Sequence, residues 1–231
     1  MEFSGMEKLS LVDFDHNLTA TLFMAGCPFR CPFCHNGDLV LFPEKAPIIP
    51  FEDILAYLRK RQGVLEAVCI SGGEPTLMED LEEKIRAIRE LDYKIKLDSN
   101  GCNPGVLADL IGKGLIDYIA MDIKNSKEKY NLTCGAKVDL AKIGESVKLL
   151  MTSGIAYEFR TTVIEEFHTE EDIREIGEWI KGADRYFLQK YVDGDSCIRH
   201  NYHAISDSEI DEFLQILRPY IPNVAKRGYF D

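Results

Sequence analysis

The chain is short of several things, and each shortage narrows what it can do. Positive charge is in deficit: 27 Lys and Arg face 39 Asp and Glu, a formal net charge of −12. So acidic a surface repels phosphate backbones and anionic headgroups, so no nucleic acid and no membrane is expected as a partner. No apolar run approaches the ~18 residues that a spanning helix needs. The opening MEFSGMEKLSLVDFDHNLTA has no basic stretch leading into an apolar one, so a cytoplasmic location is expected. Low-complexity tracts and strong internal repeats are also missing, which sets aside linkers and solenoids.

Cysteine is not scarce. Seven is an odd count, and without an export signal it favours metal or catalytic use over structural disulfides. Three of the seven crowd into GCPFRCPFCHN (26–36), where Cys27, Cys31 and Cys34 are spaced C-x3-C-x2-C. Unrelated loop thiols explain this poorly, because free cysteines are usually buried singly. Structural zinc asks for four closed ligands. His35 adjoins Cys34 and would struggle to share one tetrahedral ion with it, which leaves Cys69, Cys102, Cys134 or Cys197 as distant fourth ligands. An iron–sulfur cluster suits the crowding better, because three thiolates on a four-iron cube leave one iron open. An open position is what a working metal centre keeps.

Around this loop, short apolar runs alternate with amphipathic stretches. Strands are predicted at 18–25, 66–71, 93–99, 117–123, 156–163 and 184–191. Helices are predicted at about 51–62, 79–91, 104–113, 139–153, 169–181 and 206–217. Gly114 and Gly154 fall where a left-handed cap is needed, and Thr169 with Asp172 reads as a helix start. Six β-α units build a parallel sheet with right-handed crossovers, either doubly wound or closed part-way into a barrel. At this length one domain over 1–231 is expected, with a core at about 18–191 and a C-terminal loop and helix over 192–231. The unusual short sequences all lie at strand C-termini, where parallel α/β folds carry their ligand sites.

C-x3-C-x2-C followed by Ser71-Gly72-Gly73-Glu74-Pro75 resembles the radical S-adenosylmethionine (radical SAM) superfamily. The resemblance implies a partial (β/α)6 barrel, a [4Fe–4S] cluster on Cys27, Cys31 and Cys34, and S-adenosylmethionine on the open iron. Phe33, His35 and Asn36 would lie beside the cofactor. Gly72 and Gly73 would let the backbone approach it, and Glu74 would accept from its amino group, unless Glu74 is only a helix-start carboxylate.

LDSNG (97–101) and AMDIK (120–124) resemble segments of the glycyl-radical activating enzymes within that superfamily. By that resemblance Asp98, Ser99, Met121 and Asp122 gather near the cofactor carboxylate, around a monovalent cation, with Lys124 as neutraliser. Asn100, Arg160 and Gln189 would contact the cofactor. His168 would meet adenine or a peptide substrate, and Tyr191 follows Gln189 at the last strand end. Cys197, His200 and His203 have C-x2-H-x2-H spacing, read either as a flexible active-site loop or as a second metal site.

The stretch SLVDFDHNLTATLFMAGCPFRCPFCHN resembles activating proteins of anaerobic ribonucleoside-triphosphate reductase, although Asp15-His16-Asn17 stands where they carry a Gly-Lys turn. No ferredoxin-like insertion separates Cys34 from Glu74. The implied reaction is reductive cleavage of S-adenosylmethionine, followed by removal of hydrogen from a glycine of a partner protein, with a flavodoxin or ferredoxin as electron donor. A pyruvate formate-lyase type activase, a radical SAM enzyme of another peptide or small molecule, and an iron–sulfur electron carrier are the competing readings.

Overall fold

In the computed structural model, which describes residues 2–229, eight strands form one sheet in sequence order. They are β1 (Phe3–Ser10), β2 (Thr19–Met24), β3 (Ala67–Gly72), β4 (Lys94–Ser99), β5 (Tyr118–Asp122), β6 (Ala156–Val163), β7 (Tyr186–Lys190) and β8 (Val224–Arg227). β1 runs antiparallel to β2, and every later neighbour is parallel. The helices α1 (Gly37–Leu41), α2 (Phe51–Arg61), α3 (Leu81–Arg89), α4 (Pro104–Gly112), α5 (Tyr130–Cys134), α6 (Leu140–Ser153), α7 (Glu170–Trp179) and α8 (Asp207–Leu217) fill the connections. The result is a partial α/β barrel.

The barrel shape follows from alternation along the strands. Leu22, Ile70, Leu97, Ile119 and Phe159 are fully buried on the outward faces, within one core cluster that also holds helix residues such as Ile54, Ile85 and Ile173. Each such side chain stabilises the fold by roughly 1.5–3 kcal/mol. Residues one position away alternate with these and are often polar: Ser71, Lys96, Asp98, Asp122 and Arg160. Register aligns them across strands, with Cys69 opposite Lys96 and Asp122 opposite Arg160.

Six parallel strands were expected, and two more are present. Neither carries the apolar run that a periodicity search needs. β8 is four half-buried residues, VAKR. β1 is an edge strand whose middle is exposed, as edges of sheets tolerate. Short α1 and α5 were also not expected. The expected caps are present: Thr169 and Asp172 form a full capping box on α7, and Gly154 ends α6 at φ 78°, which favours glycine. Positions 1, 230 and 231 of the expected domain lie outside the described residues. Among the described residues no helix is long and apolar enough to cross a membrane.

Candidate functional site

The cysteine loop leaves β2 and re-enters the fold at α1. It is fixed by its backbone: Gly26 donates to Leu39 O at 2.8 Å, Arg30 to Cys134 O at 2.8 Å, and Cys34 to Cys31 O at 3.0 Å. Beside it the end of β3 turns sharply. Gly73 donates to Met24 O and Glu74 to Gly26 O, both at 2.8 Å. A Cβ on Gly73 would stand 2.0 Å from the Gly26 oxygen, so this crossing of two backbones requires glycine.

Between these turns and the ends of β4, β5 and β6 lies a cleft of about 200 Å³. Cys27, Cys31 and Cys34 line it, with Phe33, His35, Asn36, Gly72, Gly73, Asp98, Ser99, Asn100, Asp122, Lys124 and Arg160. The cysteine loop and the strand ends, about 130 residues apart in sequence, therefore meet in one place. Phe29, Val40 and Thr162 line it as well and were not named as site residues from the sequence, and Ser71 was named only as part of its motif. Ser71 and Thr162 lie two residues from Cys69 and Arg160, so extending the period-two alternation by one step would have found them.

All seven cysteines are free. Burial pushes the Cys27 thiol up to about 12 and also raises Cys34. Cys31 moves the other way, first because the Cys134 thiol donates to it. The Lys124 ammonium favours the thiolate of all three. Metal ligation needs those thiolates, so a cation that favours the charged form of all three suits a metal site. Among the described residues no three His, Cys, Asp or Glu side chains come close enough together to share one ion. Three thiols lining one cleft fit a cluster, in which each takes its own iron.

Below the cysteines, charges alternate across the strands. Lys96 Nζ lies 3.3 Å from Asp98 Oδ1, and Arg160 Nη1 lies 3.4 Å from Asp98 Oδ2. Arg160 Nε donates to Asp122 Oδ1 at 2.9 Å, and Lys124 Nζ to Asp122 Oδ2 at 2.8 Å. Ser71 Oγ donates to Asp98 at 3.0 Å. Burial alone would raise both carboxyls. The facing cations override it, lowering Asp98 and bringing Asp122 to about 2. The carboxylates expected to face a monovalent cation together with Ser99 and Met121 thus have Lys96, Arg160 and Lys124 beside them, while Asp98 Oδ1 accepts no hydrogen bond among the described residues. Met121 is fully buried, with its methyl group packed against Gly101.

Glu74, expected to accept from the cofactor's amino group, is fully buried and does not line the cleft. Its Oε1 accepts from Thr76 N at 3.1 Å, Thr76 Oγ1 at 2.6 Å and Ser99 Oγ at 2.9 Å, and its Oε2 accepts from Asn100 N at 2.7 Å. Three of the four donors meet Oε1 and one meets Oε2, which turns the carboxylate toward the protein. It positions the Ser99–Asn100 turn, from which Asn100 Nδ2 approaches Cys27 Sγ at 3.6 Å. The GGE segment meets the cleft through backbone, and Asn36 Nδ2 holds the Gly72 carbonyl at 2.8 Å.

His168 lies outside the cleft as well. It is buried, with Nδ1 3.1 Å from Ile164 N and Nε2 3.0 Å from Lys124 O. Both ring nitrogens serve the backbone, so it braces the Lys124 strand end and does not reach adenine. Gln189 pairs in register with Thr162 but does not line the cleft. Cys197, His200 and His203 do not converge. They turn to Phe33 O and Tyr191, to Asp193, and to Glu166 respectively. Cys69 and Cys134 are fully buried, and Cys102 is half-buried.

Comparison with known proteins agrees with this geometry. A protein of Methanocaldococcus jannaschii, provisionally named a glycyl-radical enzyme activating enzyme, is 32% identical over 97% of this chain and 95% of its own length. A second protein of that organism with the same description is 25% identical over 89% and 79%. Among solved structures, Streptococcus suis SuiB bound to S-adenosylmethionine superposes with TM-score 0.70 at 17% identity, covering 90% of this chain and 52% of that one. A domain of pyruvate-formate lyase-activating enzyme from Bacteroides vulgatus gives 0.59 at 18%, covering 71% and 99%. Residues 21–180, from β2 through the end of α7, match the radical SAM superfamily, and with the three thiols set at the mouth of that barrel, this chain is a member of it.

Proposed function

We propose that the chain is an activating enzyme for a glycyl-radical protein, binding S-adenosylmethionine at a [4Fe–4S] cluster and taking hydrogen from a glycine Cα of its partner. One observation carries the reading: the three thiols share a cleft with the Gly72–Gly73 backbone and the Asp98–Arg160–Asp122–Lys124 array, in a chain whose whole-length relative bears that description.

When bound, the cluster and cofactor supply an electron and a 5′-deoxyadenosyl radical. The chain's own groups do the rest. Cys27, Cys31 and Cys34 would anchor the cluster, with Lys124 favouring their thiolates. The Gly72–Gly73 backbone, held by Asn36, would receive the amino group. Arg160 and Lys124 would donate to the carboxylate as charge-assisted partners. Phe29, Phe33 and Val40 keep water from the reacting side.

The partner we favour is anaerobic ribonucleoside-triphosphate reductase, on the resemblance carried by residues 10–36, with a flavodoxin or ferredoxin as donor in the cytoplasm. The test is anaerobic reconstitution with iron and sulfide, reduction, addition of S-adenosylmethionine and assay of 5′-deoxyadenosine. Wild type should form it and Cys31→Ala should not. A glycyl radical, seen by electron paramagnetic resonance when the reductase is added, identifies the partner. No deoxyadenosine from protein carrying an intact cluster would favour an electron carrier instead.

A further inference from the structure

The segment after β7 runs back over the cysteine loop and touches it along its length. Gly37 donates its amide to Ser196 O at 3.0 Å, Ile198 donates to Cys34 O at 3.3 Å, and Arg199 donates to Pro32 O at 2.7 Å. His35 Nε2 lies 2.6 Å from Val192 O. The buried Cys197 thiol faces Phe33 O at 4.0 Å. The fit is close: a Cβ on Gly37 would stand 2.5 Å from Ser196 O, closer than real contacts allow.

One side chain fixes the segment's own shape. Asp193 Oδ1 accepts from Tyr191 Oη at 3.1 Å and lies 3.0 Å from His200 Nδ1, while Oδ2 accepts from Asn201 N at 3.1 Å. These contacts tie the two ends of the segment together, with Asn201 turned to φ 65°. The His200–Asp193 pair is exposed, so it adds little to global stability. Its effect is local.

We propose that residues 192–200 are a clamp on the cysteine loop and that Asp193 is its positioning residue, holding Cys31 to Gly37 in the arrangement that ligates the cluster. Groups that orient metal ligands without touching the metal act in this way. The proposal rests on the functional reading above only for what the thiols hold. The clamp itself is a property of the chain.

Two variants test it, Asp193→Ala at the tie and Gly37→Ala at the contact, each read in two states. In the cluster-free protein, amide hydrogen exchange over 31–37 should quicken in both variants, while the unfolding midpoint of Asp193→Ala stays at the wild-type value. In the reconstituted protein, chelator-driven loss of the cluster's visible absorbance should run about 10-fold faster in both. The spectrum of the reduced cluster should shift, which a defect confined to global stability would not cause.

Unchanged exchange in both variants overturns the clamp. Acceleration in Gly37→Ala alone overturns the role of Asp193. If Asp193→Ala fails to fold, Asp193→Asn replaces it: the amide retains an acceptor for Tyr191 and His200 but turns a donor toward Asn201 N, so wild-type exchange there overturns the tie. A wild type that assembles no cluster refutes the functional reading, and the exchange measurement still decides the clamp.

Discussion

Glu74 and Asn100 are joined by a 2.7 Å hydrogen bond from the Asn100 amide to the Glu74 carboxylate, inside the protein and away from any ligand. Through it the turn after β3 fixes the turn after β4. Glu74→Gln puts an amide donor against one of four donors and should cost about 1.5–3 kcal/mol in denaturant unfolding.

Burial also gives this carboxyl a pH signature. It raises the Glu74 pKa above the unfolded value, and the four donors only partly reverse the effect. The folded state therefore holds its proton to higher pH than the unfolded state does, and stability falls as pH rises through the range just above 4.5. Asp122 works oppositely: its carboxyl, held near 2, contributes stability above the unfolded 3.8 that is lost as pH falls toward 2. Unfolding midpoints against pH should lose the first slope in Glu74→Gln and the second in Asp122→Asn.

Arg160 is shared by two half-buried carboxylates, so its removal leaves both short of a cation. Arg160→Met should destabilise, though by less than the ~3–5 kcal/mol that breaking a fully buried pair costs, because water reaches both carboxylates. Adding Asp122→Asn should restore part of that, because it removes one uncompensated charge. Strictly additive losses in the double-mutant cycle would show that the pair is not coupled.

Gly73→Ala forces a methyl group into the Gly26 carbonyl, and neither backbone can yield cheaply. The variant should fail to assemble a cluster under conditions that load the wild type, as read by iron content per chain.

Asn36 touches the Gly72 carbonyl and no other group with its amide nitrogen. Asn36→Ala should weaken S-adenosylmethionine binding by about 1 kcal/mol, about five-fold in equilibrium dialysis. An unchanged affinity would mean that Gly72 is placed without it.

Much of this was legible in the sequence because the strands and cysteines announce themselves. LTATLFMA and EAVCIS carry apolar residues over enough length to be read, and the C-x3-C-x2-C and GGEP segments fall at their ends. What could not be read was direction. Whether Glu74 faces a ligand or the protein depends on Thr76, Ser99 and Asn100, which only the fold brings together. His168 was ambiguous for the same reason, since its partners are backbone atoms that no sequence pattern marks. The expectation of a cation came from two carboxylates facing inward, and the cations that flank them were harder to read. Lys96 escaped notice although KIKLDS spaces it two residues from Asp98, on the same face.

The alternating charges inside the barrel also act as a check on strand alignment. Asp122 faces Arg160, and Ala120 faces Glu158. Sliding β6 by two residues would keep every side chain on its proper face, so the apolar pattern alone would accept the error. It would also set Glu158 against Asp122, two like charges in a poorly solvated interior. The residues that face the cleft thereby penalise the misalignment most compatible with the hydrophobic pattern, and a mispaired chain is rejected before a site can form.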